Sequence, residues 1–223
     1  LMERLVLASS QTGGVVLDLD DATAVAVGSD HACAIRAGGQ VVCWGEGFGA
    51  RPTPIALPDA AFVATELAAT ALATCARAVD GRVACWGRND LGQLGSGTVS
   101  PSSATPVPVT GITTAVAITA GSQHTCVTLA DQTAHCWGAN GARQLGDGTT
   151  TNRSAPVAVS GLTAVTSSSA GTDQTCAVRT DGTVRCWGAN WAGQLGTGTT
   201  TPSAVPVAVT ALGGLAATGP GAV

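Results

Sequence analysis

Thr175-Cys176-Ala177-Val178-Arg179-Thr180-Asp181-Gly182-Thr183-Val184-Arg185-Cys186-Trp187-Gly188 is a pair of short strand-forming runs around an Asp-Gly turn. Such a pattern predicts a β-hairpin. A two-residue turn at Asp181-Gly182 would set Cys176 opposite Trp187. A three-residue loop with Gly182 in the left-handed conformation instead pairs Arg179 with Thr183 and Cys176 with Cys186. The two cysteines then share a non-hydrogen-bonded rung, where Cα atoms lie about 4.5 Å apart. That is at the short end of what a disulfide tolerates.

The hairpin recurs. Cys-Trp-Gly begins at Cys43, Cys85, Cys136 and Cys186, at intervals of 42, 51 and 50 residues, and Cys33, Cys75, Cys126 and Cys176 each stand ten positions upstream. All eight cysteines and four of the five tryptophans are thereby used. A period of that size in a Gly- and turn-rich chain predicts propeller blades or a solenoid. Val79-Asp80-Gly81 and Ala37-Gly38-Gly39 allow the same three-residue loop. Ala130-Asp131-Gln132 lacks the glycine, so a strained or differently built turn is expected there. Alternation puts each Trp on the face opposite its neighbouring Cys. Strands apolar on both faces must be covered on both, so the tryptophans are expected to pack between neighbouring sheets.

A second signature follows each of the last three tripeptides. Asn89-Asp90-Leu91-Gly92-Gln93-Leu94-Gly95-Ser96-Gly97-Thr98 returns as Asn140 to Thr149 and as Asn190 to Thr199. Glycines at fixed offsets predict tight turns with positive φ, with the single Leu as a plug between them. A phosphate cradle would need a helix after the glycines, and none is signalled. The first unit lacks this segment: Glu46-Gly47-Phe48-Gly49-Ala50-Arg51 runs almost directly to Pro54, which accounts for the short first interval.

Trp-Gly-x-Asn-x-x-Gly-Gln-Leu-Gly-x-Gly-Thr, followed by a Pro-Val-x-Val strand and a Gly shortly before the next hairpin, resembles the regulator of chromosome condensation repeat family over roughly residues 13–221. The resemblance implies an all-β propeller of four-stranded antiparallel blades, usually seven to a ring. The family's founding member is a nuclear exchange factor for the small GTPase Ran, and bacterial relatives are secreted, one of them an inhibitor of β-lactamases. With its paired cysteines the chain resembles the bacterial secreted type. The exchange-factor function does not carry over, because no match to Ran-contacting residues is found. On this basis residues 1–12 form an N-terminal segment, read as the end of a preceding blade. The array of 13–223 divides into repeats at about 13–53, 54–105, 106–155 and 156–205, with an unpaired trailing strand in 206–223. Four hairpins suggest part of a longer propeller or an unusually closed ring.

Composition narrows the function. Net charge is −4, and all ten basic residues are Arg, scattered through the repeats. Nucleic acid would want a concentrated basic stripe. No run approaches the ~20 apolar residues that span a bilayer, and Leu1 to Leu7 is too short and too acidic for a signal peptide. The Ala-, Gly- and Arg-rich, Lys-free composition suggests a GC-rich bacterial source.

Three states of the cysteines are open: disulfides Cys33–Cys43, Cys75–Cys85, Cys126–Cys136 and Cys176–Cys186, buried thiols, or zinc. Zinc would draw on His124, Cys126, His135 and Cys136, but the hairpin sends His135 and Cys136 to opposite faces. Disulfides fit the even count and fixed spacing, and they predict an extracellular, cell-surface or periplasmic location. Asp18, Asp20 and Asp21 lack the spacing of a calcium loop. His31 and His124 have no nucleophile placed beside them by sequence. No cofactor, metal or catalytic site is expected, and the chain is expected to be a non-enzymatic protein-binding platform. The alternatives are a secreted enzyme inhibitor and a structural repeat of a surface layer or fibre. Two residues break the repeat and are the candidate partner contacts: Trp191, where the other copies have Asp90 and Gly141, and Phe48 in the shortened unit. Trp191 is either a partner contact, the commonest hot-spot type, or a cap over an open end of the array.

Overall fold

The architecture follows from a computed structural model, which describes residues 6–7, 14–15 and 19–210. Val6–Leu7 (β1) and Gly14–Val15 (β2) form a short antiparallel pair. Four antiparallel four-stranded sheets follow in chain order. The first contains β3 (Ala22–Val27), β4 (His31–Arg36), β5 (Val41–Gly45) and β6 (Gly49–Pro54). The second contains β7 (Ala64–Ala69), β8 (Ala73–Ala78), β9 (Val83–Arg88) and β10 (Ser102–Pro108). The third contains β11 (Ala115–Ala120), β12 (His124–Leu129), β13 (Ala134–Gly138) and β14 (Arg153–Ala158). The fourth contains β15 (Val165–Ala170), β16 (Gln174–Arg179), β17 (Val184–Gly188) and β18 (Ser203–Ala208). Each is a plain meander, and the four are propeller blades.

Each Cys-Trp-Gly segment lies on the third strand of its blade. The predicted register holds: Cys176 faces Cys186, Arg179 N donates to Thr183 O at 2.9 Å, and Gly182 N donates to Arg179 O at 2.9 Å. Gly182 has φ of 77°, the left-handed value that the three-residue loop requires. Gln132 closes the same loop in the third blade at φ 64°, so the expected strain is there, carried by a residue with a Cβ. The Pro-Val-x-Val segments differ from their expected place. Residues 203–208 pair with β17 as the last strand of the fourth blade, and the segment from Pro206 to Ala208 is therefore not an unpaired strand. A Pro removes a ladder donor and so prefers an edge, which is where Pro106, Pro156 and Pro206 sit. The rest of the expected trailing strand, 211–223, and Asp18 lie outside the described residues.

The first strands β3, β7, β11 and β15 stand side by side, so the blades form an arc around an axis. Three apolar clusters fill the three junctions. The first joins Cys33, Ile35 and Cys43 to Ala76, Ala84 and Trp86; the second joins Cys75, Cys85 and Leu94 to Val127 and Trp137. The third joins Cys126, Cys136 and Leu145 to Ala177 and Trp187. The cysteine face of one blade thus meets the tryptophan of the next. Trp86, Trp137 and Trp187 are fully buried, worth about 3–5 kcal/mol each against truncation to Ala. No helix among the described residues is long and apolar enough to cross a membrane.

Candidate functional site

The glycine signature builds a plug that reaches across to the following blade. Asn140 is buried at its start. Its Oδ1 accepts from Leu145 N at 3.0 Å, and its Nδ2 donates to Thr149 O at 3.2 Å. Asn89 and Asn190 make the same two bonds in their own turns. With the turn pinned, the plug carbonyls project outward: Gln93 O accepts from Trp137 Nε1 and Gln144 O from Trp187 Nε1, both at 2.9 Å. Approach is close enough that a Cβ on Gly95 or Gly146 would lie 2.9 or 2.7 Å from the indole Nε1. Glycine is required at these two points.

The first blade has no plug. Phe48 is half-buried there, in the cluster with Trp86, as Leu94 and Leu145 are in theirs. It fills volume but offers no carbonyl to the indole, and Trp86 Nε1 is buried without a partner among the described residues. Phe48 also lies 6.1 Å, centroid to centroid, from the His31 ring.

Histidines bridge two junctions, a role not evident from the sequence. His31 Nε2 is 2.7 Å from Thr74 Oγ1, and His124 Nε2 is 2.8 Å from Thr175 Oγ1. Burial pushes His124 down to about 4, and pushes His31 down against the opposing pull of Asp30 and Glu46. His135 is also lowered by burial, against Asp131. Near the axis, a cavity of about 280 Å³ is lined by the first-strand ends, among them Gly28, Ser29, Ala71, Ser122 and Thr172. Ser29 N donates to Ala71 O, Ala71 N to Ser122 O, and Ser122 N to Thr172 O, so backbone bonds run from blade to blade around it.

The cysteine sulfurs are 2.08, 2.09, 2.14 and 2.07 Å apart in the four expected pairs, with Cα atoms at 4.0–4.1 Å. Among the described residues no group of His, Cys, Asp and Glu could hold a metal ion. His124 is committed to Thr175, and Cys126 faces Cys136. Trp191 stands on the outer turn after β17 and is 66% exposed. Its turn is complete without the indole: Ala192 N donates to Gln194 Oε1 at 2.9 Å, as Leu91 N and Ala142 N do to Gln93 and Gln144.

The repeat geometry agrees with the family comparison. The regulator of chromosome condensation (RCC1) repeat matches residues 80–128, 131–178 and 181–219, and a second form of it matches 22–48, 115–144 and 165–194. The chain belongs to the RCC1 repeat family. Compared with curated proteins by sequence, it has no match. Among solved structures, it resembles human WBSCR16 at 23% identity and TM-score 0.79, covering 90% of this chain and 56% of that one. It resembles Prp20p of Saccharomyces cerevisiae at 20% identity and TM-score 0.76, covering 89% and 53%. It resembles the ectodomain of the Physcomitrella patens receptor kinase CR4 at 26% identity and TM-score 0.53, covering 80% and 44%. The chain thus spans about half the length of these structures. The His–Thr bridges are features of this chain's own blades, since Ala73 and Gln174 replace the histidine in the other two.

Proposed function

We propose that this RCC1-repeat chain is a non-enzymatic protein–protein interaction platform of the cell surface, periplasm or secreted space, docking through the outer turn that carries Trp191. One observation carries the reading: a two-thirds exposed indole on a turn whose hydrogen bonds are complete without it. An exposed Trp on a rigid turn loses little entropy on binding and buries a large area. Phe48 suits docking less, because it already packs on the first junction.

The location rests on the four cysteine pairs, read as disulfides, which persist in oxidising compartments. The likeness to a receptor-kinase ectodomain favours the same side of the membrane. Prp20p is described by its binding to Gsp1p and histones, so a protein with this fold serves as a binding surface. A secreted inhibitor would present the same kind of rigid aromatic turn, and is the second reading.

The test compares the wild type with Trp191→Gly, the residue found at position 141. Stability should stay within about 1 kcal/mol. Cross-linked capture from an envelope fraction of the source cell should retain a partner that the variant loses, with affinity down by about 2 kcal/mol or more. A captured enzyme that is inactivated supports inhibition. A variant that melts several degrees lower yet binds normally makes Trp191 a structural cap.

A further inference from the structure

Thr175 Oγ1 has two neighbours, and together they fix the protonation of His124. The hydroxyl donates to Gln144 O at 3.1 Å, so it can only accept from His124 Nε2. Neutral His124 therefore carries its hydrogen on Nε2. Gln144 O receives Trp187 Nε1 as well. A single line of bonds, His124 to Thr175 to Gln144 to Trp187, crosses the junction of the third and fourth blades. The other ring nitrogen, Nδ1, is buried with no partner among the described residues, and the residue is 0% exposed. The ring packs against Gly121, where an added Cβ would lie 2.6 Å from Nδ1.

We propose that this junction is an acid-labile joint: a proton taken from solvent by His124 Nδ1 makes a buried cation with an unpaired N–H, and the third and fourth blades part locally to hydrate it. Among the described residues no carboxylate compensates. The strands β11 and β15 carry no titratable group, and β16 carries only Arg179, at its far end beside Asp181. On β13 there is only His135. In the plug, Arg143 reaches Pro202 O and Asp147 pairs with Arg153; in the turn between β15 and β16, Asp173 accepts from the Gln144 side-chain amide. Burial is the sole cause of the depressed affinity of His124 for protons.

The other junctions lack the device. Ala73 stands in for the histidine between the second and third blades. Between the first and second, His31 has Asp30 and Glu46 to receive a charge. Acid therefore acts on one joint of three. With His124 near 4 in the closed state and 6.5 in the open one, local opening should rise about 30-fold between about pH 7.5 and about pH 5.

Native-state amide exchange at about pH 7.5 and about pH 5, corrected for intrinsic rates, reads each junction separately. Amides of β12, the 140–147 plug and β16 should lose about 30-fold in protection beyond any loss at the other junctions. His124→Gln, which copies Gln174 over Gly171, should abolish that selective loss, and His31→Gln should not. Equal loss at all three junctions, or selective loss that persists in His124→Gln, overturns the proposal. Should the variant fold poorly, an NMR titration of wild-type His124 decides: a normal midpoint near 6.5 in the folded state overturns it, and a midpoint at least a unit lower supports it.

Discussion

Trp187 Nε1 donates to Gln144 O at 2.9 Å across the junction between the third and fourth blades, and Trp137 does the same to Gln93 O. Trp86 has the same burial and no acceptor, because the first blade lacks the plug. A buried unpaired donor costs about 1–3 kcal/mol, and so does an acceptor left behind when its donor is removed. Trp86→Phe should therefore destabilise by at least about 1 kcal/mol less than Trp137→Phe, with Trp187→Phe in between because Gln144 O keeps its bond from Thr175 Oγ1. Urea unfolding of the three variants measures this, and equal costs would show that the missing plug is satisfied in another way.

Gln132 holds a left-handed conformation at φ 64° where Gly81 and Gly182 hold the other loops. Relief of that strain outweighs the extra unfolded-state entropy of glycine only by a small margin. Gln132→Gly should raise stability by up to about 1 kcal/mol, visible as a higher urea midpoint with unchanged m-value. A loss of stability would mean that the Gln side chain holds the turn.

Gly28 and His31 are matched in size. A Cβ at Gly28 would meet the His31 ring at 2.3 Å, whereas Thr70 sits in the same place above Ala73 and bonds its backbone N at 2.9 Å. Gly28→Thr alone should destabilise through this clash, and His31→Ala alone should lose the bond to Thr74. Together they rebuild the Thr70–Ala73 pair, while the contact of the new Cβ with Thr70 O at 2.8 Å is present with or without His31 and cancels in the cycle. A double-mutant cycle should return a favourable coupling of about 1–3 kcal/mol, and strict additivity would refute the pairing.

If the four cysteine pairs are disulfides, intact mass should rise by about 8 Da on complete reduction, two hydrogens for each bridge. In the chain-entropy model each short loop contributes roughly 3 kcal/mol, so reduction should also lower the melting temperature. An unchanged mass would remove the main support for an oxidising compartment.

Acid stability has a defined sign. His124 is lowered to about 4 from 6.5, so its contribution is full above pH 6.5 and falls as pH drops toward 4. The loss approaches about 3 kcal/mol below that window. His124→Gln should flatten this part of the pH–stability curve measured by urea unfolding.

Much of this protein is legible in one dimension because its information is local and repeated. The ten-residue cysteine spacing and the glycine of Asp181-Gly182 determine loop length, and loop length determines register, which the Cys176–Cys186 pairing shows directly. Alternation assigns Trp and Cys to opposite faces, and four copies of one hairpin determine an array. The outer-edge place of Pro206 was less legible. A segment between two hairpins can pair with either, and only the fold shows that it completes the earlier one.

The junction chemistry was decided by tertiary structure alone. His124 and Thr175, or Gln144 and Trp187, are 51 and 43 residues apart, and nothing local links them. Their contact depends on how one blade is rotated against the next, and so on summed packing of the apolar clusters. Burial then sets the chemistry. Histidine in sequence is an ordinary base, and at the closed third junction it is a neutral donor with one nitrogen sealed from water. Trp191 shows the converse: the sequence marked it as out of pattern, and only the fold could show its indole standing in solvent.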